Sequence, residues 1–216
     1  MKKFAVIMCG CGSMDGTEIH EAVMTLLAID RKGCSYTIFA PDANQYHVMN
    51  HYTQEVMEET RNMLVEAARI ARGTIHPLSD FNAHDFDALV FPGGFGAAKN
   101  LFNYAIKGAN ATVNPEIATI IKDFHALKKP IGALCIAPVL LAKVLGDITI
   151  TVGTDQATIV DVKKFGATHI NTQKTEVIAD KQNMIFSTPC YMLPASISDI
   201  ADCAQNLIDS IVENIG

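Results

Sequence analysis

Leu134-Cys135-Ile136 is the segment of this 216-residue chain best suited to covalent chemistry. The apolar run Pro130–Leu134 reads as a buried strand. A helical pattern starts immediately after Cys135, so strand passes to helix with no loop between them. Hydrolase nucleophiles occupy elbows of this kind, with small residues two positions away on either side; here both positions are alanine, Ala133 and Ala137. Pro138 falls in the first helical turn, where its missing N–H costs nothing. A thiol at this point lies beside unpaired backbone N–H groups and the positive end of a helix dipole. Both favour thiolate, so a lowered pKa is expected, with the Ile136 N–H as an oxyanion donor. The same residue also suits a plain core position, since cysteine is among the most buried residue types.

Two further segments carry polar chemistry. Pro92-Gly93-Gly94-Phe95-Gly96 follows a strand, and its glycines let backbone approach a ligand closely. Gly94 N–H is the candidate second oxyanion donor; the alternative is an ordinary strand-to-helix turn. Glu18 and Glu21 lie one turn apart at the start of the first helix and share a face. A carboxyl there can hydrogen-bond the Cys135 sulfur and set its charge, although acids in a first turn also simply stabilise the dipole. Asp15 and Glu18 have capping-box spacing, which leaves Glu21 the freer of the two. His20 points to another face, as a packed or solvated histidine or as a ligand contact.

The surrounding elements must bring these segments together. Phe4–Met8, Cys34–Ala40, Ala88–Phe91 and Pro130–Leu134 read as buried strands, and Thr17–Lys32, Gln54–Arg72, Asn114–Lys128, Ile136–Leu145 and Ala195–Ile215 as helices. Asp42–Gln54 reads as a long polar loop. After Gly146 come strand-like runs at Ile148–Val152, Thr168–Ile170, Glu176–Ala179 and Met184–Ser187, with a short helix over Val160–Phe165. Alternation of this kind implies one α/β domain over residues 1–216, with a mostly parallel sheet covered on both faces and an antiparallel, hairpin-like section near 168–188. Ligands bind such sheets beyond the carboxyl ends of the strands. There the loop Cys9–Thr17, the loop Pro92–Asn100 and the Cys135 turn should converge.

Composition narrows the classes. A chain of this size should fold to a surface of roughly 9,700 Å². It is 49% hydrophobic and 19% charged, which excludes intrinsic disorder. A net charge of −6 argues against nucleic acid or an anionic membrane as partner. No apolar run reaches the length of a membrane span. Met1-Lys2-Lys3 mimics a secretory start, but the apolar run stops at Cys9-Gly10-Cys11-Gly12. Six cysteines without a disulfide framework point to a reducing compartment, and a cytosolic protein is expected. Cys9 and Cys11 have no second pair at finger spacing, so no metal site is expected. Gly10, Gly12 and Gly16 approximate a dinucleotide fingerprint, but Asp15 stands where the third glycine belongs, and no cofactor is expected.

Taken together, several segments resemble the PfpI-like, class I glutamine-amidotransferase-like superfamily, and within it the ElbB subgroup named for isoprenoid biosynthesis. The carrying segments are Cys11-Gly12 with Asp15 to Val23, Pro92 to Leu101, Cys135-Ile136-Ala137-Pro138, Gly153-Thr154-Asp155 and Thr188 to Met192. The resemblance runs nearly end to end and implies a flavodoxin-like three-layer α/β sandwich. It implies a reactive Cys135 with a helix-borne glutamate beside it. Counting back from the glycine that ends the first helix selects Glu21, with Glu18 still in play. Gly93, Gly94, Ile136 and Asn100 become the oxyanion and substrate-binding positions, and a homodimer is implied.

The departures from that pattern select the chemistry. Glutamine amidotransferases of the superfamily carry a His-x-Glu pair well after the cysteine; here His169 is followed by Ile170-Asn171. Peptidases of the group place histidine directly after the cysteine; here it is Ile136. Glutaminase and peptidase activities are therefore not expected. What remains is chemistry that a thiol and a carboxyl perform alone: glyoxalase-like conversion of a small reactive carbonyl, an α-oxoaldehyde, without glutathione. The alternative is a non-enzymatic redox or stress regulator that uses the same cysteine.

Overall fold

A computed structural model describes residues 1–215. In chain order the elements are β1 (Lys3–Ile7), α1 (Ile19–Arg31), β2 (Ser35–Ala40), β3 (Val48–Asn50), β4 (Glu55–Met57), α2 (Met63–Ile70), β5 (His76–Pro77), β6 (Ala88–Phe91), α3 (Tyr104–Lys107) and α4 (Pro115–Ala126). These are followed by β7 (Ile131–Leu134), α5 (Ala137–Leu145), β8 (Thr149–Ile150), α6 (Gln156–Lys164), β9 (Thr168–His169), β10 (Ile178–Asp180), β11 (Ile185–Thr188) and α7 (Ile197–Val212).

The main sheet has the order β10-β11-β7-β6-β1-β2-β5. Every neighbouring pair is parallel except β10 and β11. Its central strands are buried throughout except for Lys3 at the start of β1, as expected when helices cover both faces. One core packs Leu89, Phe91 and Ile131 against Ile117, Ile121 and Phe124 of α4 and Leu140 of α5. The other packs Val6, Val90 and Phe186 against Ala22 and Ile29 of α1 and Leu207 and Ile208 of α7. The result is a flavodoxin-like three-layer sandwich with a surface of 9412 Å².

The local signals explain most boundaries. Asn114 caps α4 through its side chain, accepting the Glu116 N–H at 2.9 Å, with Pro115 at the first helical position. Gly33, at φ 66°, ends the turn after α1.

Three readings need correction. The helix expected over Gln54–Arg72 is confined to α2, and Glu55–Met57 instead forms a hairpin with Val48–Asn50 inside the supposed loop. The turn is chemical in origin: Asn50 Oδ1 accepts the Tyr52 and Thr53 N–H groups, and Gln54 takes a φ of 64°. The antiparallel section is confined to β10 and β11, because β9 pairs parallel with β8 in a separate two-stranded sheet. Between β8 and β9, α6 starts earlier than its apolar residues suggest because Asp155 caps it, accepting the Thr158 N–H at 2.8 Å.

Candidate active site

β7 ends at Leu134 and α5 begins at Ala137, so Cys135 stands on the elbow itself. Its φ is 59°, a left-handed conformation that costs a non-glycine residue of order 1–2 kcal/mol. The surroundings hold it there. The Cys135 N–H donates to Thr188 O of β11 at 3.0 Å, continuing the ladder in which Leu134 faces Thr188. Cys135 is 8% exposed and lines a cavity of about 570 Å³.

Helix α1 is stitched to the glycine loop by its first residues. Glu18 is its N-cap, accepting the Glu21 N–H at 2.7 Å, while the Glu18 N–H donates to Gly93 O at 2.9 Å. Asp15, expected as the cap, instead accepts the Met49 N–H at 2.7 Å and braces the hairpin. Fully buried Glu21 accepts the Gly93 N–H at Oε2, 2.8 Å away, and its carboxyl also reaches the Cys135 thiol and the Tyr191 N–H. Its other oxygen, Oε1, has no well-formed hydrogen bond among the described residues. Of the two glutamates, Glu21 is therefore the one set beside the sulfur. Glu18 lines the cavity wall and does the capping.

Gly93 is required by packing: a Cβ there would lie 2.6 Å from Cys135 Cβ and 2.7 Å from Glu21 Oε2. Gly94 is required twice over, by a φ of 104° and by Glu18 N, which a Cβ would meet at 2.5 Å. The Gly94 and Ile136 N–H groups are the amides that favour the Cys135 thiolate. These two amides are the available oxyanion donors. The Gly93 N–H is not one of them, because Glu21 already occupies it.

The electrostatics correct one expectation. Burial, with the Glu18 charge adding to it, raises the Glu21 carboxyl to about 8, against the pull of the Gly93 amide, the Cys135 thiol and the Tyr191 amide. Burial, then the charge of Glu21, pushes the Cys135 thiol well above its ordinary range, against the Gly94 and Ile136 amides. The lowered thiol pKa expected from the elbow is overridden, because desolvation and a neighbouring acid outweigh two N–H groups. The resting pair is therefore protonated at neutral pH, and its first proton leaves near pH 8 as a property of both groups together.

Asn100 is not at the reacting centre. Its amide donates to Asp15 O at 2.9 Å and Cys9 O at 3.2 Å, and its oxygen accepts the Tyr46 N–H at 2.9 Å, so it clips three loops together. Cys9 lies buried under the first loop with its thiol pushed up to about 12, chiefly by burial. Cys11 is half-buried and faces the charges of Glu66 and Arg69. Cys190 is buried at φ 43°, and the buried Cys203 thiol donates to Lys174 O at 2.6 Å. His169 Nε2 accepts the Val152 N–H at 3.1 Å.

His20 does line the cavity. Its Nδ1 lies 2.8 Å from the Tyr191 hydroxyl and 4.0 Å from Glu18 Oε1. Phe95 belongs to the glycine loop already singled out, whereas Tyr104, Asp155, Tyr191 and Met192 of the wall were not read as site residues. Asp155, Tyr191 and Met192 do fall within segments that carry the family resemblance. Tyr104 left no such signal, since it arrives from a one-turn helix after a π-helical turn at Ala97–Leu101.

A family model described as the DJ-1/PfpI family matches residues 7–190. The chain belongs to the DJ-1/PfpI family. It is 43% identical to the rat "ES1 protein homolog, mitochondrial" and 42% identical to the human "Glutamine amidotransferase-like class 1 domain-containing protein 3, mitochondrial". Each match spans 99% of this chain and 84% of the relative. The solved structure of an isoprenoid biosynthesis protein with amidotransferase-like domain from Ehrlichia chaffeensis is 37% identical, superposes with a TM-score of 0.91, and is matched over 98% of this chain and 99% of that one. The superfamily and the ElbB-like subgroup suggested by the motifs are thus shown. The cytosolic expectation is overturned, because both mammalian relatives are named mitochondrial. Free thiols signal a reducing environment rather than a particular compartment, so the cysteine argument could not separate the two.

Proposed function

We propose that the protein is a cofactor-free, cysteine-dependent enzyme acting on α-oxoaldehydes in a glyoxalase-like reaction. The observation that carries this reading is the contact between the Cys135 thiol and the Glu21 carboxyl, with the Gly94 and Ile136 amides favouring the thiolate. In the singly ionised pair, Glu21 takes the thiol proton as Sγ adds to the aldehyde carbon. Glu21 passes that proton to the carbonyl oxygen, which becomes the hydroxyl of a hemithioacetal, and is left as the carboxylate. Glu21 then moves the proton of that carbon to the neighbouring carbonyl carbon, by way of an enediol. This gives the thioester of an α-hydroxy acid on Cys135. Water cleaves the thioester, releasing the acid and restoring the thiol. The sum is oxoaldehyde plus water to hydroxy acid, with no external oxidant or reductant. The two amides stabilise the oxyanions of addition and hydrolysis.

The redox-sensor reading has less support, because a sensor thiol needs a low pKa and an exposed position, whereas Cys135 is raised and nearly covered. Two relatives are named mitochondrial and one related structure is named an isoprenoid biosynthesis protein, and these names support a mitochondrial setting linked to isoprenoids for the proposed reaction. The test is lactate formation from methylglyoxal by the wild type and by Cys135→Ser. Turnover that falls by at least ~100-fold in the variant supports the reading; wild-type turnover no higher than that of Cys135→Ser overturns it.

A further inference from the structure

The cavity over Cys135 is much larger than the smallest oxoaldehyde requires. At about 570 Å³ it lies in the range of sites for drug-sized ligands, and methylglyoxal would fill only a small part of it. Its wall is chiefly apolar: Phe95, Ala98, Tyr104, Ala105, Ile136 and Met192. Phe95 is 64% exposed and lines the same cavity as Cys135.

The wall carries two acidic side chains, Glu18 and Asp155, and among the described residues no lysine or arginine lines it. The basic side chain there is His20, whose Nδ1 lies 2.8 Å from the Tyr191 hydroxyl and 4.0 Å from Glu18. The Thr158 hydroxyl and N–H hold the Asp155 carboxyl below the usual carboxylate range, so it is charged at neutral pH. The nearest cation to Phe95, Lys99, lies over the ring with its Nζ 5.5 Å from the centroid, but it is not in the cavity wall and is held by Met14 O at 2.9 Å and by His47 Nε2 at 2.9 Å. An anionic substrate would therefore meet two wall carboxylates and no lysine or arginine in the wall. An apolar substituent would bury against rings and methyl groups.

We infer that this cavity selects uncharged carbonyl compounds bearing an apolar substituent, of aryl or branched alkyl size, and rejects carboxylated or phosphorylated ones. The inference rests on Cys135 as the reacting group of the proposed enzyme, and it names the substrate class of that site. Phe95 and Met192 would cover the substituent, Ile136 and Gly94 the carbonyl oxygen, while Glu18 and Asp155 exclude anions.

The test uses alkylation of Cys135 in the intact protein, which reads the cavity without requiring turnover. Iodoacetamide, iodoacetanilide and iodoacetate place a neutral, an aryl-bearing and an anionic group on the same reacting carbon. In each case Sγ displaces iodide, and the thiol proton passes to solvent. Rates at Cys135 are followed by peptide mass spectrometry and divided by those of N-acetylcysteine. The expected result is a normalised iodoacetanilide-to-iodoacetamide ratio of about tenfold or more, from burial of the ring. The corresponding iodoacetate ratio should be about one tenth or less, from charge repulsion. Asp155→Asn, which keeps the helix cap, should raise the iodoacetate ratio several-fold. Ala105→Phe, at an exposed position on the rim, should lower the anilide ratio. Ratios within about twofold of those of the free thiol in the wild type would overturn the assignment. Selective alkylation without oxoaldehyde turnover would sink the proposed reaction and leave the cavity assignment standing. Turnover with flat ratios would do the reverse.

Discussion

The backbone N–H of Gly93 donates to Glu21 Oε2 at 2.8 Å, and this bond ties the carboxyl that faces Cys135 to the strand-end loop lying against the same cysteine. Because Gly93 is spent in this way, the next residue, Gly94 at φ 104°, is left as the loop amide that favours the Cys135 thiolate. Carboxyl, thiol and that amide are therefore positioned by one short stretch of loop.

The pair should titrate as a unit. Alkylation of Cys135 by iodoacetamide is expected to rise with pH in two steps, the first near pH 8, where Glu21 ionises. Glu21→Gln should leave a single step. A single ordinary thiol curve in both proteins would show that the two groups do not interact.

Stability should carry the mark of the same carboxyl. Glu21 has a folded pKa of about 8 against an ordinary value of 4.5. A raised folded pKa means that its contribution is fully present below pH 4.5 and is lost as pH rises toward 8. The loss is on the order of 4–5 kcal/mol if the whole shift is realised. Urea unfolding between pH 5 and pH 8.5 should show a decline in the wild type that Glu21→Gln flattens. Parallel pH profiles for the two proteins would count against a buried, protonated Glu21.

Gly94→Ala should harm both fold and site. The added Cβ meets Glu18 N at 2.5 Å and Gly16 O at 2.6 Å, and alanine resists a φ of 104°. A loss of about 1–3 kcal/mol is expected, or several degrees in Tm. Turnover should fall by roughly tenfold or more as the amide leaves the sulfur. Unchanged melting and turnover would show that the loop has another conformation.

Asn100→Ala separates bracing from binding. Removing the clip between Asp15 O, Cys9 O and Tyr46 N should cost about 1–3 kcal/mol, measured by thermal unfolding. KM for an oxoaldehyde should change by less than about threefold. A large rise in KM with little loss of stability would return Asn100 to the substrate site.

Local signals in the chain determined the sandwich and the position of its candidate site. Apolar runs of strand length alternating with capped helices lead to a parallel sheet, because buried strands and amphipathic helices have few other ways to cover their apolar faces. Ala133, Cys135 and Ala137 mark the elbow, and the glycines at 93, 94 and 96 mark a loop whose backbone approaches other atoms closely. Such features depend on a few consecutive residues, and consecutive residues stay neighbours in any fold. Tertiary structure decided what depends on distant parts of the chain meeting. It chose Glu21 over Glu18, turned Asn100 from ligand contact into clip, and built the cavity wall from Tyr104, Asp155 and Tyr191. It also reversed the expected direction of the Cys135 pKa. The helix dipole and adjacent amides are local and visible in sequence, but desolvation is the sum of everything packed around the sulfur, and that sum exists only once the chain has folded.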